Sequence, residues 1–323
     1  MRGDILKKKL MVLCAVAIMI STCLTGCKMN SGKIRFGSAG IGGTYQIFGD
    51  TFANLISSKS KKYNIEVKTT AGSAANLRLL SKDYIQMAVA QMDLINDAYN
   101  RTGIFENDKK YQGYRAVASL YTEACQIVVP ADSDIQSVDD LEGKKVCIGE
   151  EESGTEQNAL QILNAYGLNE RLVDTVNLNY TDAAKKLKSG DIDAFFCTAG
   201  VQTTVINELS KQCKIRLVSL DQKGVSRLKK SYKFYTEYTI PAGTYVNQTK
   251  EVKTVGVKAV LLASDKLSED TVKDITQILF KNQQQIQYAL PVDISLDEKL
   301  PLRVSRFHSM TVLLPIINNM ESQ

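Results

Sequence analysis

From residue 33 onward the apolar positions keep changing their period. Short runs with strand character are each followed by stretches in which apolar residues recur every three or four positions. Residues 33–37 predict a strand, and 45–57 a helix with Phe48, Phe52, Leu55 and Ile56 on one face. Strands at 65–69 and 87–90 alternate with helices at 74–80 and 92–99. That order calls for a parallel sheet covered by helices. Residues 104–114 are polar and charged and read as a loop. The alternation then restarts, with strands at 116–120, 126–129, 145–148, 175–178, 194–197 and 215–218 and helices at 155–166, 183–189 and 201–209. A long apolar run at 255–262 gives a late strand, and helices follow at 269–282 and 305–319.

Two sets of β-α units imply two sheets, and so an α/β chain of two lobes. The late strand reads as a return to the first lobe. Residues 33–122 would then form the first part of lobe 1, residues 123–222 lobe 2, and residues 223–323 the return to lobe 1 with the C-terminal helices. Two crossovers make a hinge, and a cleft between hinged lobes is a favoured ligand site.

The first 32 residues fall outside that pattern. Arg2, Lys7, Lys8 and Lys9 precede an apolar run over 10–20, and Leu24-Thr25-Gly26-Cys27 closes it. This is the order of a signal peptide, and the apolar run is shorter than the ~20 residues of a membrane-spanning helix. Leu-Thr-Gly-Cys resembles a bacterial lipobox, which implies removal of residues 1–26 and a lipid on Cys27, with 27–32 as a tether. The protein is then expected outside the cytoplasm, held at the bacterial cell membrane by its acyl chains.

Composition narrows the chemistry. The chain carries 40 Lys and Arg against 35 Asp and Glu. Residues 1–26 hold four of the basic residues and one acidic, so the remainder is nearly balanced, which argues against a nucleic-acid partner. His308 is the only histidine. Outside the leader and Cys27, Cys125, Cys147, Cys197 and Cys213 are scattered without a Cys-x-x-Cys, so neither a metal nor a cofactor is expected. Buried thiols are the plain reading, with a Cys197–Cys213 disulfide left open. There is no Gly-x-Ser-x-Gly elbow and no histidine near a nucleophile, so an enzyme is not expected.

Small-residue loops recur where strands should give way to helices: residues 38–45, 70–76, 152–156 and 198–200. In open α/β sheets such loops gather at the carboxyl ends of strands, where glycine admits a ligand and helix N-termini attract anions. Each loop alone also reads as local structure. Ser73 can cap its helix, and Ser153-Gly154-Thr155-Glu156 fits a capping box. Gly40-x-Gly42 is only a fragment of a dinucleotide fingerprint, with Tyr45 where its third glycine would stand.

A series of segments in these loops resembles the TAXI group of TRAP-type solute receptors. They include Gly42-Gly43-Thr44-Tyr45, Gly72-Ser73-x-x-Asn76, Gln91-x-Asp93, Ser119-Leu120-Tyr121-x-Glu123, Ser153-Gly154-Thr155-Glu156 and Ile240-Pro241-x-Gly243-Thr244-Tyr245. Gln202 departs from the proline of the family pattern. The resemblance implies a two-lobed periplasmic-binding-protein type II fold with a hinged cleft, a TRAP membrane permease as partner, and a small organic anion, glutamate-like or dicarboxylate, as ligand. It implies ligand contacts at Gly43, Thr44, Tyr45, Ser73, Asn76 and Gln91 in lobe 1, at Tyr121 and Glu123 near the crossover, and at Ser153, Gly154, Thr155, Glu156, Ala199 and Gly200 in lobe 2. Backbone N–H groups of Gly43–Thr44 and Gly154–Thr155 would hold a carboxylate, with Asn76 and Gln91 as amide donors. Glu123 suits a ligand ammonium or pairs with a lysine, and Tyr45 and Tyr121 wall the cleft or pack beneath it. A monomer is expected. The alternatives are a binding protein of an ABC importer, and a surface sensor, adhesin or immunogenic lipoprotein on the same fold.

Overall fold

A computed structural model describes residues 33–292 together with 294 and 296. The leader expected over residues 1–26, Cys27, His308 and the helix expected at 305–319 lie outside the described residues.

The first β-α units form as the periodicity predicts. Strands β1 (Lys33–Gly37), β2 (Asn64–Lys68) and β3 (Met87–Gln91) alternate with helices α1 (Thr44–Lys59), α2 (Ser73–Ser81) and α3 (Met92–Asn100). All five residues of β3 are buried, as a strand covered on both faces requires. The chain then enters β4 (Tyr114–Pro130), one strand of 17 residues where the sequence suggested two. The polar Thr122 and Glu123 that interrupt its apolar pattern stay within the ladder.

The second set comprises β5 (Lys145–Gly149), α4 (Gly154–Ala165), β6 (Asp174–Asn177), α5 (Tyr180–Ser189), β7 (Ala194–Ala199), α6 (Thr204–Gln212) and β8 (Ile215–Leu217). Helix α7 (Gln222–Ser231) and strand β9 (Thr236–Ile240), which periodicity did not reveal, lead to β10 (Val252–Ser264). Helices α8 (Glu269–Lys281) and α9 (Gln283–Ala289) close the described chain.

The strands form one path, β2-β1-β3-β10-β4-β7-β5-β6, with β8 beside β4 and β9 beside β10. The expectation of two separate sheets is therefore corrected: β4 and β10 are long enough to serve both halves. Strand β4 runs antiparallel to β10 over Tyr114–Ala124 and antiparallel to β7 from Ala124 to Val128. On either side of this antiparallel pair the flanking strands run parallel, β1 with β3 and β5 with both β6 and β7.

Period-2 alternation on the shared strands divides the core. Leu261 of β10 faces the cluster of Phe36, Phe48, Phe52 and Ile275, whereas Val260 and Leu262 face that of Leu77, Leu80, Leu94 and Ile95. In the other half, Cys125, Ile127 and Val129 of β4 face Ile162 and Leu228, and Val128 faces Ala183 and Ile206. Each half-sheet is thus covered on both faces. Phe36, Phe48 and Phe52 fill the first cluster with ring centroids 5.6–6.2 Å apart, a spacing at which aromatic pairs add about 0.5–1.5 kcal/mol each beyond their buried area.

Candidate functional site

Where β4 exchanges β10 for β7, the ends of several strands and the starts of the following helices close around one cavity of ≈ 40 Å³. Five helices begin at its wall. Their N-cap residues Gly43 (α1), Gly72 (α2), Gln91 (α3), Ser153 (α4) and Asn179 (α5) all line it. Each helix start carries the equivalent of roughly half a positive charge and a set of outward N–H groups, so the cavity is built for negative charge without any cationic side chain. Among the described residues no Lys, Arg or His lines it.

Within the first half the side chains are tightly tied. Tyr45, in the first turn of α1, donates its hydroxyl to Glu123 Oε2 at 2.8 Å and lies 3.3 Å from Ser73 Oγ. Ser73 Oγ accepts the Gln91 backbone N–H at 3.1 Å. The Gln91 amide reaches Glu123, while Gln91 Oε1 is buried without a partner among the described residues. Glu123 itself is 2 % exposed. Burial pushes its carboxyl up to about 8, opposed by the hydrogen bonds from Tyr45 and Gln91, with Asp93 adding repulsion. Glu150, at the end of β5, is a second carboxylate on the wall, also raised by burial.

The second half contributes the start of α4. Ser153 Oγ accepts Glu156 N–H at 3.0 Å, so Ser153 caps α4 as expected, but the box is not reciprocal: Glu156 Oε2 accepts Glu152 N–H at 2.9 Å, and Ser153 N–H goes to Glu150 O at 3.0 Å. The cap leaves the first-turn N–H groups of Gly154 and Thr155 without a protein partner among the described residues, as are those of Thr44 and Tyr45 in α1. The Gly43 N–H is spent on Gly40 O at 3.3 Å. Thr155 Oγ1 stands 2.6 Å from the Tyr180 hydroxyl and accepts Thr198 N–H at 3.2 Å, locking the wall rather than pointing free.

The two halves meet directly. Ala74 and Ala75 N–H of α2 both donate to Glu152 O at 3.2 Å, and Arg78 Nε lies 3.1 Å from Glu152 Oε1. Glu152 adopts a left-handed φ of 64°, rare for a residue with a side chain, and these contacts help hold it there. The start of α2 is therefore capped by the opposite half, so an incoming anion would find the N–H groups of α1 and α4 rather than those of α2. Gly154 has no room for a Cβ, which would collide with the Gln91 amide.

Most of the expected contact residues line this cavity, including Gly43, Thr44, Tyr45, Ser73, Gln91, Glu123, Ser153, Gly154, Thr155 and Ala199. Four are placed otherwise. Asn76 is fully buried, with Nδ2 donating to Gly37, Ser38 and Val89 carbonyls and Oδ1 accepting from Thr70 Oγ1, so it has no donor left for a ligand. Tyr121 packs beneath Thr44 in the core without hydrogen-bond geometry. Glu156 is turned to Glu152 and Asn177. Gly200 sits against Val292 and Thr44, and its carbonyl accepts the Thr203 hydroxyl. Sequence reading passed over Tyr180, Asn179 and Glu150. The signal for the first two was a loop at the end of β6 that opens a helix with Asn179 as its cap. Cys125, Cys147, Cys197 and Cys213 are free thiols, so the pairing left open for Cys197 and Cys213 is not formed. Burial raises all four. The described residues hold no group of three or more metal-ligating side chains and no helix long and apolar enough to cross a membrane.

The fold is that of two-lobed periplasmic binding proteins. A binding protein component of an ABC phosphonate transporter from Pseudomonas aeruginosa superposes with a TM-score of 0.52 at 13% identity, covering 86% of each chain. A structure from work on glutathione import via GshT and the cystine ABC importer TcyBC of Streptococcus mutans does so with a TM-score of 0.50 at 15% identity, covering 83% of this chain and 99% of that one. Residues 36–310 match the NMT1-like family, and over that span, most of its length, the chain belongs to this family.

Proposed function

We propose that the protein is an extracytoplasmic solute-binding protein that closes on a small zwitterion of the α-amino acid type and hands it to a membrane importer. The observation that carries this reading is the pairing, in one cavity, of several helix N-termini with a buried carboxylate and no basic side chain. A ligand carboxylate would take the N–H groups of Thr44, Gly154 and Thr155, and a ligand ammonium would pair with Glu123. A plain dicarboxylate would bring no cation to Glu123 and would set its second charge beside Glu123 and Glu150. That sets an amino acid of glutamate type ahead of a dicarboxylate. Nothing in this scheme forms a covalent bond.

At ~10–15 Å³ of such volume per water, a ≈ 40 Å³ cavity holds about three. An amino acid enters only when the halves part, so binding and hinge opening are one event. Of the importer types, the ABC permease has the better support, since both solved neighbours named above come from ABC systems; the TRAP permease rests on the motif series alone. The cellular test is uptake energetics. Uptake that stops on ATP depletion but survives collapse of the ion gradients supports the ABC partner, and the reverse pattern the TRAP partner. A lipid on Cys27, tested by membrane release on Cys27→Ser, is the proposed anchor. The binding claim is tested by calorimetry of the purified protein with L-glutamate and with its deaminated analogue glutarate. Heat with glutarate and none with glutamate would overturn the amino-acid reading.

A further inference from the structure

The interface between the halves holds a second buried carboxylate that the cavity does not use. Asp93, in the first turn of α3, is 6 % exposed and absent from the cavity wall. Across the interface Asn158 of α4 is fully buried, with Nδ2 donating to Asp93 Oδ2 at 3.1 Å and to the Tyr235 hydroxyl at 2.8 Å. Tyr235 passes its own proton to Gln161 Oε1 at 2.6 Å. Both N–H groups of Asn158 are thereby used. Two oxygens are left, Asp93 Oδ1 and Asn158 Oδ1, each buried and without a donor among the described residues.

An ionised Asp93 has no means of satisfying this pair, because a carboxylate and an amide oxygen both only accept. One proton on Asp93 Oδ1 changes that. The acid could then donate to Asn158 Oδ1 while the amide donates to Asp93 Oδ2, an acid–amide pair that would serve both orphaned oxygens. The surroundings favour the neutral form. Asp97 lies one turn along α3, Glu123 and Cys125 face Asp93 from β4, and Tyr235 closes the far side, with Tyr232 beside Asp97. No Lys or Arg bonds Asp93 or Asn158 among the described residues. Burial dominates and lifts Asp93 to about 7, opposed by the Leu94 backbone N–H.

We propose that Asp93 and Asn158 form a proton-operated latch, in which a proton shared between their side-chain oxygens holds the two halves closed and its loss loosens the cleft. The latch rests on the closing-cleft reading above but not on the identity of the ligand. In the open form Asp93 meets water and titrates near ~4. Its acidity is weaker in the closed form, so closure takes up a proton. Closure is favoured fully below ~4 and progressively lost as pH rises to about 7, by up to ten-fold in the open-to-closed ratio per pH unit.

The test is small-angle X-ray scattering of the purified, ligand-free protein between pH 5 and 8.5, in a Glu123→Gln background that removes the raised carboxyl facing Asp93. The radius of gyration is expected to grow between pH 5 and 7.5. Asp93→Asn, a neutral mimic of the protonated acid, is expected to remain compact throughout. Asn158→Leu, which removes the partner and keeps the test open should Asp93→Asn not fold, is expected to lose the transition. A Glu123→Gln protein with no pH-dependent expansion, or an Asp93→Asn or Asn158→Leu protein that keeps it, overturns the latch. Glutamate binding is read separately, on the protein with Glu123 intact, so failure of the latch leaves the ligand reading standing.

Discussion

Glu123 concentrates the chemistry of the cavity in one side chain. With its carboxyl raised to about 8, it is mostly neutral at pH 7 and must lose its proton to pair with an ammonium. The sign follows directly. Affinity for an amino acid should rise by up to ten-fold per pH unit between about 7 and 8, above the range in which Asp93 titrates, and then level, as titration calorimetry would record. Glu123→Gln should flatten that profile and weaken binding. Without ligand the linkage runs the other way: the stability that neutral Glu123 contributes is fully present below its unfolded value near 4.5 and is lost as pH rises through about 8. Thr155→Val should cost about 1–3 kcal/mol in denaturant unfolding, because Thr198 N–H loses its acceptor, and should also weaken binding. Unchanged stability would show that the Thr155–Tyr180 contact carries nothing. Glu123, Tyr45 and Ser73 came forward through the motif series they share, which names the residues of a loop together and does not say which of them turn inward. Asn76 came with them, because an amide that cradles a ligand and one that ties three backbone carbonyls look alike in a sequence.

Among the elements, the helix starts were readable wherever glycine or serine stood between an apolar run and an amphipathic stretch, as at α1, α2 and α4. Strand β4 misled because Thr122 and Glu123 break its apolar run, yet those residues sit where the strand changes partners, at the point where a sheet admits a ligand. Helix α7 escaped notice because its Lys-rich surface leaves only Val225 and Leu228, with Gly224, to bury. The meeting of α4 with β3 depends on Gly154. Gly154→Ala should displace the Gln91 amide, hold the halves apart and weaken amino-acid binding at least ten-fold. Normal affinity in that variant would mean that Gln91 and Gly154 need not touch for capture.

At the scale of the molecule, β4 and β10 join the two halves through one continuous sheet. The sequence led to two sheets because a strand shared by both halves has no signature beyond its length. Asp93 and Glu123 act in opposite senses, Asp93 favouring closure at low pH and Glu123 favouring an ammonium ligand at high pH. The central claim is that the open starts of α1 and α4 and one buried carboxylate select a zwitterion. The most direct measurement is a thermal-shift comparison of L-glutamate with glutarate at pH 8, on the unmodified protein and on Glu123→Gln. The account predicts stabilisation by glutamate alone, about 2.7 kcal/mol at a hundred times its dissociation constant, and its loss in the variant. Stabilisation by glutarate equal to or above that by glutamate, or an undiminished glutamate shift in Glu123→Gln, would contradict it.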